Sequence, residues 1–379
     1  MADSGADIMD RRRNTRKRIY QYIFHSQDPV SKQQISYDLR YSLPTIHQNI
    51  SVLLEQGLIK ADDEQMATGG RPAVGYYAEA DVKLAIGVAV TANHIRLLAT
   101  NIKQEQLYYK RVESKLSDTE ELGPIIAAEV EKFIEENGLD RSKILGVGIT
   151  VPGMIDYDKE IIVTSPTMQL KNMEISRISS CIDFPVYLDN DGTSSGFAEW
   201  IASSDSKEKA RFVYVLWDNG IGGSIFLSGK PYLGENNRSG EFGHCCIVPE
   251  GRLCNCGKRG CLEAYCGASR ISKDLGLTLE SFFEELKRGN SEYEKLWDEI
   301  LGYMAIGLYN IRVCTDCDIV LGGAVSEYMP PYLSALKEKM LSHSSFDSNA
   351  DYLRLGKFPR KAGMMGVAWH FTNEFVNSL

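Results

Sequence analysis

No apolar run in this sequence approaches the ~20 residues that a membrane-spanning helix needs. The amino terminus, MADSGADIMDRRRNTRKR, has no apolar signal core behind it. A soluble, cytoplasmic protein is the expectation. Without an export signal, nine cysteines do not read as a disulfide framework but as metal ligands or buried thiols. An excess of positive charge is also missing: the chain carries −9 at pH 7, which is unfavourable for a nucleic-acid binder. The deficit is uneven, however. Residues 11–60 hold nine Lys/Arg against three Asp/Glu, so a basic head sits on an acidic body. That favours phosphate contact at one end only, a solvated helix end being the alternative. Hydrophobic residues make up 43%, enough to fill cores, so disorder is not expected.

The first eighty residues read as three helices and a hairpin. Ile19, Tyr20, Ile23 and Phe24 recur at helical spacing within a segment from Asn14 to about Ser26. Pro29 breaks it, and Ser31 caps KQQISYDLR. Ser42 then precedes LPTIHQNISVLLEQGLI, whose Ile46, Ile50, Leu53 and Leu54 form one apolar face. This is a helix-turn-helix layout, in which the N-terminal residues of the third helix meet base edges. Thr45, His47 and Gln48 are the candidates. Gln65–Tyr77 supplies a wing, with Gly69 and Gly70 at its tip and Arg71 beside Pro72, suited to a minor groove. Arg11, Arg12, Arg13, Arg16, Lys17 and Arg18 suit phosphates. The alternative is a winged helix used for protein contacts alone.

From Val82 the pattern becomes strands mixed with helices. LAIGVAVTANHIRLLATNI reads as two strands, EELGPIIAAEVEKFIEENGL as an amphipathic helix, and KILGVGITVPGMID and PVYLDND as buried strands. RFVYVLWDNGIGGSIFLSGK reads as a hairpin, and DIVLGGAVSE as a strand and glycine turn in a largely helical last third. The fold class is α/β, with sites at strand ends. His244, Cys254, Cys256 and Cys261 form His-x9-Cys-x-Cys-x4-Cys, a donor set for one tetrahedral Zn²⁺. Four protein ligands leave no open position, so this zinc would be structural; a group of buried thiols is the alternative. Cys245, Cys246 and Cys266 are expected in the core, and Cys314-x-x-Cys317 in a helix-like stretch.

These motifs resemble the ROK family, which groups sugar kinases with sugar-responsive repressors. The resemblance covers the GGRP wing and the whole body. It is carried by VPGMID, LDNDG, NGIGGSIFLSG, IVLGGAVSE and the Glu-x-Gly-His…Cys-x-Cys-Gly-x-x-Gly-Cys-x-Glu block. It implies a winged helix at 1–80 and a two-lobed hexokinase/actin-like (ribonuclease H-like) body at 81–379. One lobe would hold 81–195 with 355–379, the other 196–354. It also implies a sugar site from Asn190, Asp191, Glu241, His244 and Glu263, since carboxylates and an amide exchange hydrogen bonds with hydroxyls. His244 would ligate zinc through one nitrogen and offer the other to a hydroxyl, and the zinc loop would set both glutamates. At Thr167, which follows Ser165-Pro166, the sequence departs from the asparagine that the family often has.

The same resemblance separates sensor from kinase. Family kinases have Asp-x-Gly-Gly-Thr on the first body strand; here Ala89-Val90-Thr91-Ala92-Asn93 stands in its place. A Gly-Thr-Gly is replaced by Asp218-Asn219-Gly220, whose carboxylate would repel phosphates. Asp191, the base of a kinase, remains as a hydroxyl acceptor. The expectation is therefore no enzyme. It is a regulator, most simply a repressor, that binds operator DNA as a homodimer or homotetramer and responds to a sugar or amino sugar. The rivals are a DNA-binding sugar kinase and a scaffold controlled by a protein partner.

Overall fold

A computed structural model describes residues 5–66, 73–114, 116, 121–203 and 211–379. The helix α1 (Gly5–His25) buries Ile19, Tyr20 and Ile23 against α2 (Lys32–Leu39) and α3 (Leu43–Glu55). Ser31 Oγ accepts from Gln34 N at 3.2 Å and Ser42 Oγ from Thr45 N at 3.3 Å, so both expected caps form. Ile46, Ile50 and Leu53 are buried, while Leu54 is 38% exposed. Gly57, at φ +67, turns the chain out of α3. The strands β1 (Val30–Ser31), β2 (Ile59–Met66) and β3 (Ala73–Ala78) close the module as a sheet in the order β1-β3-β2. The wing tip with Gly69, Gly70, Arg71 and Pro72 lies outside the described residues.

The body is built on two sheets of one topology. The first contains β4 (Leu84–Thr91), β5 (His94–Asn101), β6 (Gln106–Glu113), β7 (Ile144–Val151) and β11 (Val186–Asn190). Its order is β11-β7-β4-β5-β6, an antiparallel meander extended by two parallel strands. The second contains β12 (Arg211–Trp217), β13 (Ile221–Leu227), β14 (Lys230–Tyr232), β15 (Asp318–Gly322) and β16 (Leu353–Leu355), in the order β14-β13-β12-β15-β16. Here too a meander is extended by two parallel strands. Between β7 and β11 a small sheet of β8 (Met154–Asp156), β9 (Ile161–Ser165) and β10 (Leu170–Glu174) projects.

Helices cover both sheets. Against the first lie α4 (Leu122–Glu136) and α5 (Ser176–Ser179), burying Ile126, Val130 and Phe133. After β11 comes α6 (Asp191–Ala202). The second sheet carries α7 (Leu262–Cys266), α8 (Ala268–Asp274), α9 (Leu279–Lys287), α10 (Ser291–Thr315) and α11 (Leu333–His343). Finally α12 (Ala362–Ser378) returns to the first sheet and packs on α6. That packing is close: a Cβ on Gly148 would lie 2.3 Å from Val367 O, and one on Gly366 only 1.8 Å from Ser194 O. No described helix is long and apolar enough to cross a membrane.

Candidate functional site

The carboxyl end of β11 delivers Asn190 and Asp191 to the space between the two sheets. Asn190 is the N-cap of α6: its Oδ1 accepts from Gly192 N (2.8 Å) and Thr193 N (3.0 Å), and its Nδ2 donates to Gly153 O (2.7 Å). Its amide therefore holds the loop and the helix start before any ligand arrives. Asp191 follows as the first residue of α6. Gly192 rests against Gly223 of β13, where a Cβ would come within 2.9 Å of Gly223 O. This contact assigns Gly223 a packing role and brings Asp191 beside the Asp218 hairpin. The Asp191 carboxyl is pushed up to about 7, first by burial, then by the charges of Asp218 and Glu241.

The opposite wall comes from the cysteine-rich loop. Glu241 lies just before the 3-10 turn Phe242–His244, and its carboxyl is raised by burial and by Glu263, against the lowering effect of His244. Glu263 Oε2 accepts from Ile221 N at 3.1 Å, which ties α7 to β13. His244 points Nδ1 at Cys254 Sγ (3.8 Å) and Nε2 towards Glu241 Oε2 (3.7 Å). One nitrogen thus faces the thiols and the other faces the carboxylate wall.

The donor atoms of His244, Cys254, Cys256 and Cys261 all lie within 4.8 Å of one another. Cys256 Sγ and Cys261 Sγ are 3.7 Å apart. A tetrahedral ion with bonds of about 2.3 Å to sulfur requires sulfur–sulfur edges of about 3.8 Å. The cluster fits a metal in size and donor chemistry. Gly257 and Gly260, at φ +81 and +87, allow the loop to turn back between ligands. Cys266 is buried as expected, but Cys245 and Cys246 are exposed. The backbone accounts for the difference: Cys245 O accepts from Leu262 N to close the loop, and Phe242 fills the core instead. Cys314 ends in α10, whereas Cys317 falls beyond that helix.

The two hairpins at which the sequence departs from the family kinases are each held by the protein itself. Ala89 is an internal β4 residue paired with Arg96 of β5, and the β4–β5 connection is a tight hairpin. Asp218 Oδ1 accepts from Asn219 N at 2.8 Å, and its Oδ2 accepts from Ala324 N at 3.3 Å across the second sheet. The Ala324 amide is thereby already bound to a carboxylate of the protein.

Beneath Asn190 lies a residue that sequence reasoning passed over. Asp189 is 3% exposed and accepts from Tyr157 Oη, from Tyr187 Oη at 2.9 Å and from Asn190 N at 2.7 Å. Burial raises its carboxyl to about 6 despite these bonds. The only hint in the sequence was the polar run Asp189-Asn190-Asp191 at a strand end.

On the winged helix, His47 and Gln48 are exposed near the start of α3, and Thr45 Oγ1 pairs with Ser42 Oγ at 2.8 Å. The cations of α1 divide. Lys17 Nζ donates to Asn377 O, Arg13 to Ser378 O at 2.9 Å and Arg18 to Tyr41 Oη at 3.0 Å. Arg16 is half-buried, and Arg11 and Arg12 are exposed. Several groups expected at phosphates are thus turned onto the protein, because α1 lies against the end of α12.

A family model of the ROK family matches residues 85–374. The chain belongs to the ROK family. It is 23% identical to the xylose repressor of Bacillus subtilis over 83% of each chain. It is 25% identical to the DNA-binding transcriptional dual regulator NagC of Escherichia coli K12, over 82% of this chain and 80% of that one. Among solved structures, a ROK family transcriptional regulator, homolog of the E. coli MLC protein, superimposes with a TM-score of 0.76 at 19% identity over 98% of both chains. A ROK family glucokinase from Streptomyces griseus, in complex with glucose and AMPPNP, gives 0.66 at 21% identity over 75% of this chain and 98% of that one. These likenesses agree with the two-sheet body, which is the sugar-kinase-like fold of the family.

Proposed function

We propose that this ROK protein is a DNA-binding transcriptional regulator of carbohydrate metabolism whose operator affinity is set by a sugar in a degenerate kinase cleft. Residues 1–80 form the DNA-binding unit. Residues 81–379 form the sugar-binding unit, with lobes at 81–195 with 355–379 and at 196–354. Asp191, Glu241 and Glu263 accept hydroxyl hydrogens, His244 offers its outer nitrogen, and Asn190 holds the floor. The four-residue cluster takes one structural zinc, which fixes Glu241 and Glu263. Thr45, His47 and Gln48 read bases, while Arg71, Arg16 and Lys17 complete the DNA contacts in the bound state. Two-fold symmetric operators call for a homodimer or homotetramer.

One observation carries the reading: Asp191, Glu241 and His244 stand close together while Asp218 occupies the amide of Ala324. Relatives named as repressors support the same assignment. The reading is tested by thermal shift with D-xylose, D-glucose, N-acetylglucosamine and their phosphates, each with and without ATP and Mg²⁺. A binding sugar at a hundred times its Kd adds about 2.7 kcal/mol of stability. ATP is expected to add nothing. Sugar phosphate formed from ATP would replace the regulator with a kinase.

A further inference from the structure

The cleft and the winged helix are joined by continuous packing through α12. Its first turns press on the sheet and on the helix that starts with Asp191: a Cβ on Gly87 would lie 2.1 Å from Met364 O, and Gly366 abuts Ser194 O. Its middle carries His370, whose ring stacks on Tyr187 at 3.7 Å between centroids and 7° between planes. Tyr187 in turn donates to Asp189, which binds the backbone of Asn190. Its far end enters the core of the winged helix. Val376 is buried there with Ile19, Tyr20 and Ile23, and Phe375 and Leu379 pack alongside. Lys17 and Arg13 donate to the carbonyls of Asn377 and Ser378, and Gln21 Nε2 to Asn377 Oδ1 at 3.2 Å.

We propose that α12 carries occupancy of the cleft to the winged helix, with the Tyr187–His370 stack as the joint that registers α12 against the strand that ends at Asn190, next to Asp191. The inference rests on the sugar-sensing reading and specifies its regulation. Coupling requires an element that sugar and DNA both bias. Among the described elements, α12 touches the sheet of the cleft floor, the helix of Asp191 and α1. A second route exists through the connector after β3, where Lys143 Nζ donates to Asp81 O at 3.0 Å, and it serves as the rival. His370 and Tyr187 are positioning residues on this account.

The test uses the full chain, a DNA duplex selected by it from a random-sequence library, and whichever of D-xylose, D-glucose or N-acetylglucosamine raises its melting temperature. The quantity read is the ratio of DNA affinities with and without saturating sugar. His370→Ala is expected to lower that ratio about threefold or more, with DNA affinity in the absence of sugar and sugar affinity in the absence of DNA each within about twofold of wild type. His370→Phe, which keeps a flat ring over Tyr187, should restore it. If His370→Ala keeps the wild-type ratio, the signal takes another route and this proposal is overturned, while sugar sensing stands. If no sugar that binds changes DNA affinity in the wild type, the sensing reading fails and takes this one with it. Hydrogen exchange on the wild type supplies a check that needs no variant: sugar should slow amides in 362–378 and in 10–25. Protection that stops at the cleft would overturn the role of α12.

Discussion

Sugar affinity should depend on pH through Asp191. The carboxyl lies at the cleft floor with a pKa of about 7, raised by burial, Asp218 and Glu241. Its ionised form accepts a charge-assisted hydrogen bond from a hydroxyl that the neutral acid makes only weakly, and the ionised fraction grows as pH rises through that value. At pH 8 about 90% is ionised and at pH 6 about 10%, so the sugar should bind about tenfold more weakly at pH 6. The stability of the free protein runs the other way. A carboxyl whose folded pKa stands above its ordinary value of 3.8 contributes stability at low pH that is lost as pH rises from about 4 to 7. Three units at about 1.4 kcal/mol each give about 4 kcal/mol as an upper figure. Asp191→Asn should therefore abolish sugar binding yet raise the melting temperature of the free protein at pH 8. Titration calorimetry from pH 5.5 to 8.5, with melting curves of both proteins, measures the two effects. Sugar affinity that is flat across this range would refute the role given to the carboxylate.

Metal removal is the next perturbation. Cys256→Ser, or exhaustive chelation, should lower the metal content from one per chain, reduce the melting temperature and weaken sugar binding, because Glu241 and Glu263 flank ligands of the cluster. Elemental analysis with calorimetry reads all three. On the winged helix, Gln48→Ala should reduce operator affinity by about 1–3 kcal/mol and relax preference at one base pair, measured by binding to single-base operator variants. Gly366→Ala places a methyl 1.8 Å from Ser194 O and so must move α12 off α6. A loss of about 1–3 kcal/mol in denaturant unfolding is expected, with sugar affinity falling alongside.

Local chemistry was the legible part of the sequence. Ser31 and Ser42 sit where a hydroxyl can cap a helix, and both do so. The spacing of His244, Cys254, Cys256 and Cys261 within one loop left little room for any outcome but a cluster. What stayed hidden involves partners far apart along the chain. The Asp218–Ala324 bond spans 106 positions and that between Tyr157 and Asp189 spans 32. The shared topology of the two sheets was also not readable, because β15 joins β12 only after the helices α7–α10, and β16 joins β15 only after α11. The first helix was placed from Asn14, where apolar spacing begins, yet it starts at Gly5. Arg and Lys are good helix formers, and a stretch with no apolar stripe can still extend a helix. Cys245 and Cys246 were misplaced because apolar character says nothing about which way a tight loop turns its side chains.

On the proposed reading, the difference between sensing and turnover in this cleft lies on the phosphate side, not at the base. A carboxyl with a pKa near 7 is well suited to take a proton from a sugar hydroxyl, so Asp191 would satisfy an enzyme. Phosphoryl transfer, however, depends on clamping a polyanion, and Asp218 works against that twice. It places a carboxylate near Asp191, and it already engages the Ala324 amide. The same side chain also raises the pKa of Asp191. On the proposed reading, one residue of the hairpin thus opposes phosphate and adds to the burial that raises the pKa of Asp191. A regulator needs only the second of these properties, which is why the base can persist after its partner in catalysis has gone.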